Sequence, residues 1–532
     1  TRLIEVPAGL RQGWLRAEEA GSWALPERQP DSTEALSRVA DAVPGGLAVY
    51  RHAVLPGAWW GRVLAADTAN ARVLAFRLSP GTGGWTALAE VFVQGAPGTF
   101  FPLGIEVAPD GAVLIASGGR GTGAGVYRVA PLRPANDVLA AQAQLASERP
   151  IEGVLRAPQP LSAWSLEAWR PAAEALGGGA FLAAARDPRR PADERIRAIE
   201  VAAQLFGGLD ETTAGALLQD VRPELRARAA WSLGVTGPPF LGRALAALLS
   251  DASPAVRREA AGVLLLRRHE LPREAVAEWL GGLLADPDFR VRRIAVTLGD
   301  RLDEATWDGL WAQRGRRPLA AQLTLGFAAL RRRGGPGLQP GLLELGLQAP
   351  PRVSTADARL LAVLLMQAAL GHWRLDEPTR RALAPFEPAA GDEAVQRHAP
   401  RIQAAVRPLL RAGETPLELE AFRLLAMVRD PDPATLRAVV NRLGLQTAPA
   451  VDFHHLAVLA RLPAERPEAV TFRVADALLR LHRRLGPGEP RPGRRWPEAL
   501  AEVAAVLAAR DPALGPALAA HPRLLEAAHV PL

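Results

Sequence analysis

Nine histidines carry most of the proton or metal chemistry open to this 532-residue chain, because it contains no cysteine. They gather once, in Asp452-Phe453-His454-His455. Adjacent residues on a helix point about 100° apart, so the two imidazoles chelate poorly as a pair, whereas Asp452 and His455 can share a face. The plainer reading is a helix start, with Asp452 near the N-cap and a partly buried histidine behind it. His269-Glu270 opens like the zinc-protease pattern H-E-x-x-H, but Arg273 stands where the second histidine belongs, and the pattern fails. The absence of cysteine excludes disulfides, thiolate nucleophiles, Cys-ligated zinc and c-type haem attachment within these residues. Neither a Walker A sequence nor a G-x-S-x-G elbow occurs. Gly118 to Gly125 is rich in glycine, but a dinucleotide fingerprint must lead into a helix. Here the glycines lead into Val126-Tyr127-Arg128-Val129, a strand, and the stretch reads as a hairpin loop.

The second candidate set is a row of arginines. Arg197, Arg226, Arg257 and Arg292 stand 29, 31 and 35 residues apart, each after an aliphatic residue and ahead of a small, apolar helical pattern. Asp220, Asp251 and Asp286 close the Ala/Leu-rich segments just before. Helix, short turn with Asp or Pro, helix is the grammar of a HEAT-like repeat, at the short end of that class. A single such unit cannot bury its own apolar face, so neighbours must stack. Two roles suit the arginines: a structural ladder, each bonding the preceding turn and its aspartate, or a groove-lining row that meets a partner, DNA phosphates being the sharper case.

Composition narrows the alternatives. All 63 basic residues are arginine, and the net charge of +7 is diluted among 56 acids. The absence of lysine reads as codon bias, and a nucleic-acid footprint needs clustering on one face; a nucleic-acid partner is disfavoured. With 48% hydrophobic and 22% charged residues the balance is globular. No apolar run is long enough to span a bilayer. The length suits about three to four domains. Thr1 reads as a processed terminus or as an internal boundary of a longer protein.

Three regions follow from periodicity. Residues 1–131 carry β signals and the tryptophans 14, 23, 59, 60 and 85. Residues 15–44 read as a long polar loop. Strands follow at Leu47–Tyr50, Val63–Asp67, Arg72–Leu78 and Glu90–Val93, with Leu74, Phe76 and Leu78 on one face. A hairpin over Phe101–Val129 turns at Ala108-Pro109-Asp110-Gly111. Such strands suit a sandwich, barrel or propeller, and at about 40 to 50 residues per blade the region holds two or three blades, short of a closed ring. Residues 132–300 form the HEAT-like repeats. Residues 301–532 continue the solenoid, interrupted by a basic Pro/Gly loop at Arg483–Arg495. The fold class expected is mainly α with an N-terminal all-β part, partial β-propeller blades followed by a HEAT-like α-solenoid.

The segments GLAVYRHAVLPGAWWGRVLAADTANARVLAFRL, PLGIEVAPDGAVLIASGG and VYRV resemble the last blades of the glucose/sorbosone dehydrogenase-type propeller. LRAPQPLSAWSLEAW, the repeats, and DFHHLAVLARLPAERPEAVTFRVADALLRLHRRL resemble the planctomycete-type "membrane-bound dehydrogenase" and haem-binding proteins, which place a propeller before HEAT repeats. That resemblance implies a periplasmic or cell-envelope location, and pyrroloquinoline quinone or haem as cofactor in a longer protein. The chain departs from the family pattern: Phe101–Val107, before the final P-D-G turn, has no arginine, and the Cys-x-x-Cys-His of a haem domain is missing. The expectation is therefore a non-catalytic scaffold for protein partners, with no cofactor and no metal in this chain. The alternatives are the C-terminal portion of a quinone- or haem-linked sugar or alcohol dehydrogenase, and a HEAT-type nucleic-acid binder.

Overall fold

The computed structural model describes residues 2–4, 35–39, 42–81, 84–96, 98–119, 122–132, 136–333, 337–371, 381–411, 416–444, 447–483 and 496–527. Trp14, Trp23, most of the loop expected over 15–44 and nearly all of the basic Pro/Gly loop lie outside them.

Period-2 alternation builds the N-terminal part. Strands β1 (Arg2–Ile4) and β2 (Ala35–Arg38) form an antiparallel pair. A four-stranded meander follows: β3 (Pro44–Val49), β4 (Val63–Asp67), β5 (Arg72–Gly81) and β6 (Gly84–Gln94). A three-stranded meander completes the region: β7 (Pro102–Val107), β8 (Val113–Gly119) and β9 (Thr122–Val129). The middle sheet is apolar on both faces. Leu64, Ala66, Val73 and Ala75 look one way and meet Ile105, Val107, Val113 and Ile115. Val63, Leu74, Phe76 and the half-buried Leu78 look the other way, with Leu3 and Val39 packed against them. Leu74, Phe76 and Leu78 thus share the face that their spacing predicts. A strand at Ala35–Arg38, inside the expected loop, is the exception; its four residues pair with β1 and give no alternation long enough to read.

The Ala108–Gly111 turn is fixed from several sides. Gly111 has φ +77°, its N–H donates to Ala108 O at 2.9 Å, and a Cβ there would lie 2.6 Å from His52 Nδ1. Only glycine meets both demands. The Tyr50 hydroxyl donates to Gly111 O at 3.0 Å and accepts from Leu55 N at 3.0 Å.

Among the described residues only helices follow: α1 (Asn136–Glu148), α2 (Pro150–Leu155), α3 (Ala163–Leu176), α4 (Gly178–Arg186), α5 (Ala192–Leu205), α6 (Glu211–Leu218), α7 (Pro223–Thr236), α8 (Leu241–Leu248), α9 (Pro254–Arg267) and α10 (Arg273–Leu283). Then come α11 (Phe289–Asp300), α12 (Glu304–Ala312), α13 (Leu319–Arg333), α14 (Pro340–Gln348), α15 (Ala356–Ala369) and α16 (Asp392–Val406). The last are α17 (Pro416–Met427), α18 (Pro433–Val440), α19 (Pro449–Arg461), α20 (Glu468–Arg483), α21 (Trp496–Arg510) and α22 (Leu514–Ala519). Their starts are chemically marked. Asp210, Asp288, Asp303, Thr355 and Asp432 cap free N–H groups, while Pro223, Pro254 and Pro433 occupy first helical positions where the missing N–H costs nothing.

The chain divides into two compact units, one ending at Trp279 and the other running on from Leu280. In the first, α5, α7 and α9 stack as one row and α4, α6 and α8 as a second. In the other, α11, α13, α15, α17, α19 and α21 stack successively, with α18, α20 and α22 beside them. This two-row stacking is that of an α-solenoid. The sheets are clamped to the helices of their own unit by polar bonds: Gln159 Nε2 donates to Val49 O at 2.9 Å and Trp164 Nε1 to Val107 O at 3.0 Å. Among the described residues, no helix is long and apolar enough to cross a membrane.

Candidate interaction surface

The recurring arginines form a ladder. Arg226, Arg257 and Arg292 are each the fourth residue of their helix, from which a guanidinium reaches back over the helix start. Arg226 Nη1 donates to Asp220 O at 2.8 Å, Arg257 Nη1 to Asp251 O at 2.7 Å and Arg292 Nη1 to Asp286 O at 2.5 Å. The aspartate side chains fold the same turns, accepting from Arg222 N at 3.0 Å, Ser253 N at 2.7 Å and Asp288 N at 2.8 Å. Arg226 also reaches forward to the next turn. Arg226 holds Asp251 through two bonds of 2.7 and 2.8 Å, the bidentate geometry in which a guanidinium binds a carboxylate best. Burial works against ionisation of Asp251, but the Arg226 guanidinium and the Ser253 N–H outweigh it and hold the carboxyl below its usual range. The same partner raises Arg226 above the ordinary arginine value.

Arg197 is off this register. Helix α5 begins at Ala192, so its fourth residue is Arg195, which donates to Ala185 O at 2.8 Å and to Asp220 Oδ2 at 2.6 Å. Arg197 points elsewhere. It is buried, its Cζ lies 4.5 Å from the Trp169 ring centre, and Nη1 reaches Glu200 at 3.4 Å. Its Nε and Nη2 have no hydrogen-bond partner, and burial lowers its pKa. Glu200 also lies 3.6 Å from Arg228, whose Cζ is 5.0 Å from the Trp231 ring centre. Trp169 and Arg197 are thus the buried end of a row that runs from α3 through Glu200 of α5 to the half-buried Arg228 and Trp231 of α7. The sequence signal for it is the three-residue spacing of Arg197 with Glu200 and of Arg228 with Trp231. Trp and Arg on a helical face are the residue types that dominate protein-interface energetics.

In the second unit the ladder skips a rung. The fourth residue of α13 is Gln322, which reaches only its own turn, donating to Arg317 O at 2.9 Å. Arg292 instead pairs with Asp357 at the start of α15, two places further along the row of α11, α13 and α15. A shallow, open cleft lies there over Thr324, Leu360, Leu361 and Leu364.

The histidine pair lies in the core of α19. His454 Nε2 sits 2.9 Å from Leu419 O. His455 is completely buried against Phe422, and neither ring nitrogen has a hydrogen-bond partner; burial, then Arg442, lowers its pKa to about 4. Asp452 lies in the first turn of that helix and accepts a bond from the Thr447 hydroxyl. Both imidazoles are buried outright, beyond the partial burial the sequence suggests. His269 follows α9 in a short 3-10 turn, with Arg273 opening α10. Among the described residues, no group of His, Asp or Glu could hold a metal ion.

Residues 211–299, from α6 through α11, match the HEAT-repeat family. No curated protein matches the chain. Among solved structures it is similar to a mutant of Kap121p, with 15% identity over 73% of this chain and 45% of that one and a TM-score of 0.27. It is also similar to human deoxyhypusine hydroxylase in complex with glycerol, with 18% identity over 62% of this chain and 95% of that one and a TM-score of 0.20. An engineered protein matches at 16% identity over 48% of this chain and all of its own, with a TM-score of 0.20. This chain spans about half the length of Kap121p. These likenesses are too distant to bear on activity. The comparisons support the HEAT part of the sequence resemblance; they give no support to the dehydrogenase-type propeller.

Proposed function

We propose that this chain is a non-catalytic scaffold whose HEAT solenoid recognises a protein partner through the half-buried end of that row, Arg228 and Trp231 of α7 with Glu200 of α5 beside them. The observation that carries the reading is the division of labour among the arginines. Arg226, Arg257 and Arg292 are committed to the turns that hold the helices in register, whereas Arg228 lies half-buried on a different face, stacked on Trp231. The HEAT match over 211–299 supports the same role. The commitment of the ladder arginines to aspartates and carbonyls also weighs against a phosphate-binding row. Cross-linking mass spectrometry on the native complex identifies the partner and its footprint. Trp231→Ala is expected to weaken binding at least tenfold while the chain keeps its helical circular dichroism. A footprint away from α3, α5 and α7, or unchanged affinity, overturns the proposal.

A second reading is favoured by the stacked sheets. Successive antiparallel sheets packed face to face, with β3 against β7, suit consecutive blades of a propeller. On that reading the chain is the C-terminal portion of a periplasmic sugar or alcohol dehydrogenase, with pyrroloquinoline quinone or haem held by residues outside Thr1–Leu532. Visible absorption bands together with sugar- or alcohol-dependent dye reduction by the protein from its native source would establish it. A chromophore-free, inactive 56.6 kDa chain would leave the scaffold reading alone.

A further inference from the structure

We infer that the open edge of β9 accepts a strand from another polypeptide, an extended segment with alternate apolar residues and an acidic side chain. This rests on the sheets and is independent of the reading of the solenoid. The two larger sheets are counterparts: both are antiparallel meanders in chain order, and they share one core. In the four-stranded sheet the third strand, β5, is covered along its length by β6, from Arg72 opposite Gln94 to Gly81 opposite Gly84. In the other sheet the third strand is β9. It pairs with β8 from Val113 opposite Val129 to Gly119 opposite Thr122, and no strand among the described residues lies on its other side. Residues 124–128 are all exposed, with Val126 at 69% and Tyr127 at 49%. Edge strands are normally blunted by proline, lysine, shortness or a covering element. Eight residues long and without proline or lysine, β9 has only Arg128 and an irregularity in its pairing near Gly119 to blunt it.

The side chains state what would fit. Tyr127 lies opposite Ile115, on the face of the inter-sheet core, and meets Phe100 edge-on at 5.1 Å while half its surface stays open. In the four-stranded sheet Phe92 and Val93 of β6 complete this same core. An incoming strand with an apolar residue on that face would cover Tyr127, and its next residue would lie beside Val126. Arg128 is the only charge on β9, and Asp110 pairs with it. The outer strand of the neighbouring sheet supplies Glu90 to Arg62. An acid in the incoming strand would give Arg128 a second carboxylate. A second copy of β9 would bring only another arginine, which disfavours self-pairing. Main-chain bonds along the edge would give affinity, and the alternating side chains specificity.

The test titrates the full chain with a fluorescein-labelled peptide of the β6 sequence, Gly-Trp-Thr-Ala-Leu-Ala-Glu-Val-Phe-Val-Gln. Saturable binding is expected, with slowed amide exchange in β9 and none altered in β5 or β6. Val126→Lys should weaken binding at least tenfold while leaving the melting temperature unchanged. If that variant is destabilised, a charge swap decides: Arg128→Glu should lose the peptide and regain it when the peptide's glutamate is replaced by lysine. Absence of binding up to about 1 mM overturns the inference, as does protection appearing in β5 or a charge swap without rescue. A concentration-dependent dimer abolished by Val126→Lys would assign the edge to a second copy and overturn it equally.

Discussion

At Arg226 a guanidinium has its own turn behind it and the next turn's carboxylate in front, with side chains only 15% and 11% exposed at Arg226 and Asp251. Removing it leaves a shielded carboxylate and two carbonyls short of donors. Arg226→Ala is expected to lower the unfolding free energy by about 2–3 kcal/mol in urea denaturation. Arg243 pairs with Glu211 at 76% and 63% exposure, and Arg243→Ala should change it by less than about 0.5 kcal/mol. Equal losses would mean that the ladder is ornamental. His455 sets a pH dependence. An unfolded imidazole titrates near 6.5 and the buried one at about 4, so between those values the unfolded chain binds the extra proton. This contribution is complete above pH 6.5 and is lost as pH falls toward 4, about 3 kcal/mol in all. His455→Phe should flatten the stability profile of the chain in that window, and an unaltered slope would show that the ring is not neutral and buried. The ladder itself was legible from spacing. Its first rung was not, because Arg195 and Arg197 flank one isoleucine and only the start of α5 at Ala192 decides between them.

Among the elements, α7 and α9 pack closely because Gly234 has no side chain. A Cβ there would lie 2.6 Å from Val263 Cγ2, a short, buried and branched side chain that cannot swing aside. Gly234→Ala would gain helix propensity yet force the helices apart, for a net loss of about 1–2 kcal/mol. Val263→Ala in the same chain should recover part of that loss, so a double-mutant cycle with no coupling would refute the packing account. At this scale the alternation of Arg72–Leu78 was readable, since a strand buried on both faces must still sort its side chains by parity. The β1–β2 pair was not, because three or four residues carry no period. Nor was the partner of Arg292: Gln322 looks like an ordinary surface residue until α13 and α15 are seen together.

Across the whole molecule, repeats in a stack touch mainly their neighbours, so stability is approximately a sum of units and the contacts between them. Such a chain behaves mechanically like a zip with teeth of equal pitch. Pulled by its ends in an optical trap, the ladder between Arg226 and Arg257 should open in a step of about 11 nm. The pairing of Arg292 with Asp357 breaks the pitch. It fastens α11 to α15 across α13, so the five helices α11 to α15 should leave together, releasing Phe289–Ala369 in one step of about 28 nm. Asp357→Asn should divide that step in two. A rung that skips a helix thus turns a uniform zip into one with a catch, a place where tension along the stack is held and then released all at once.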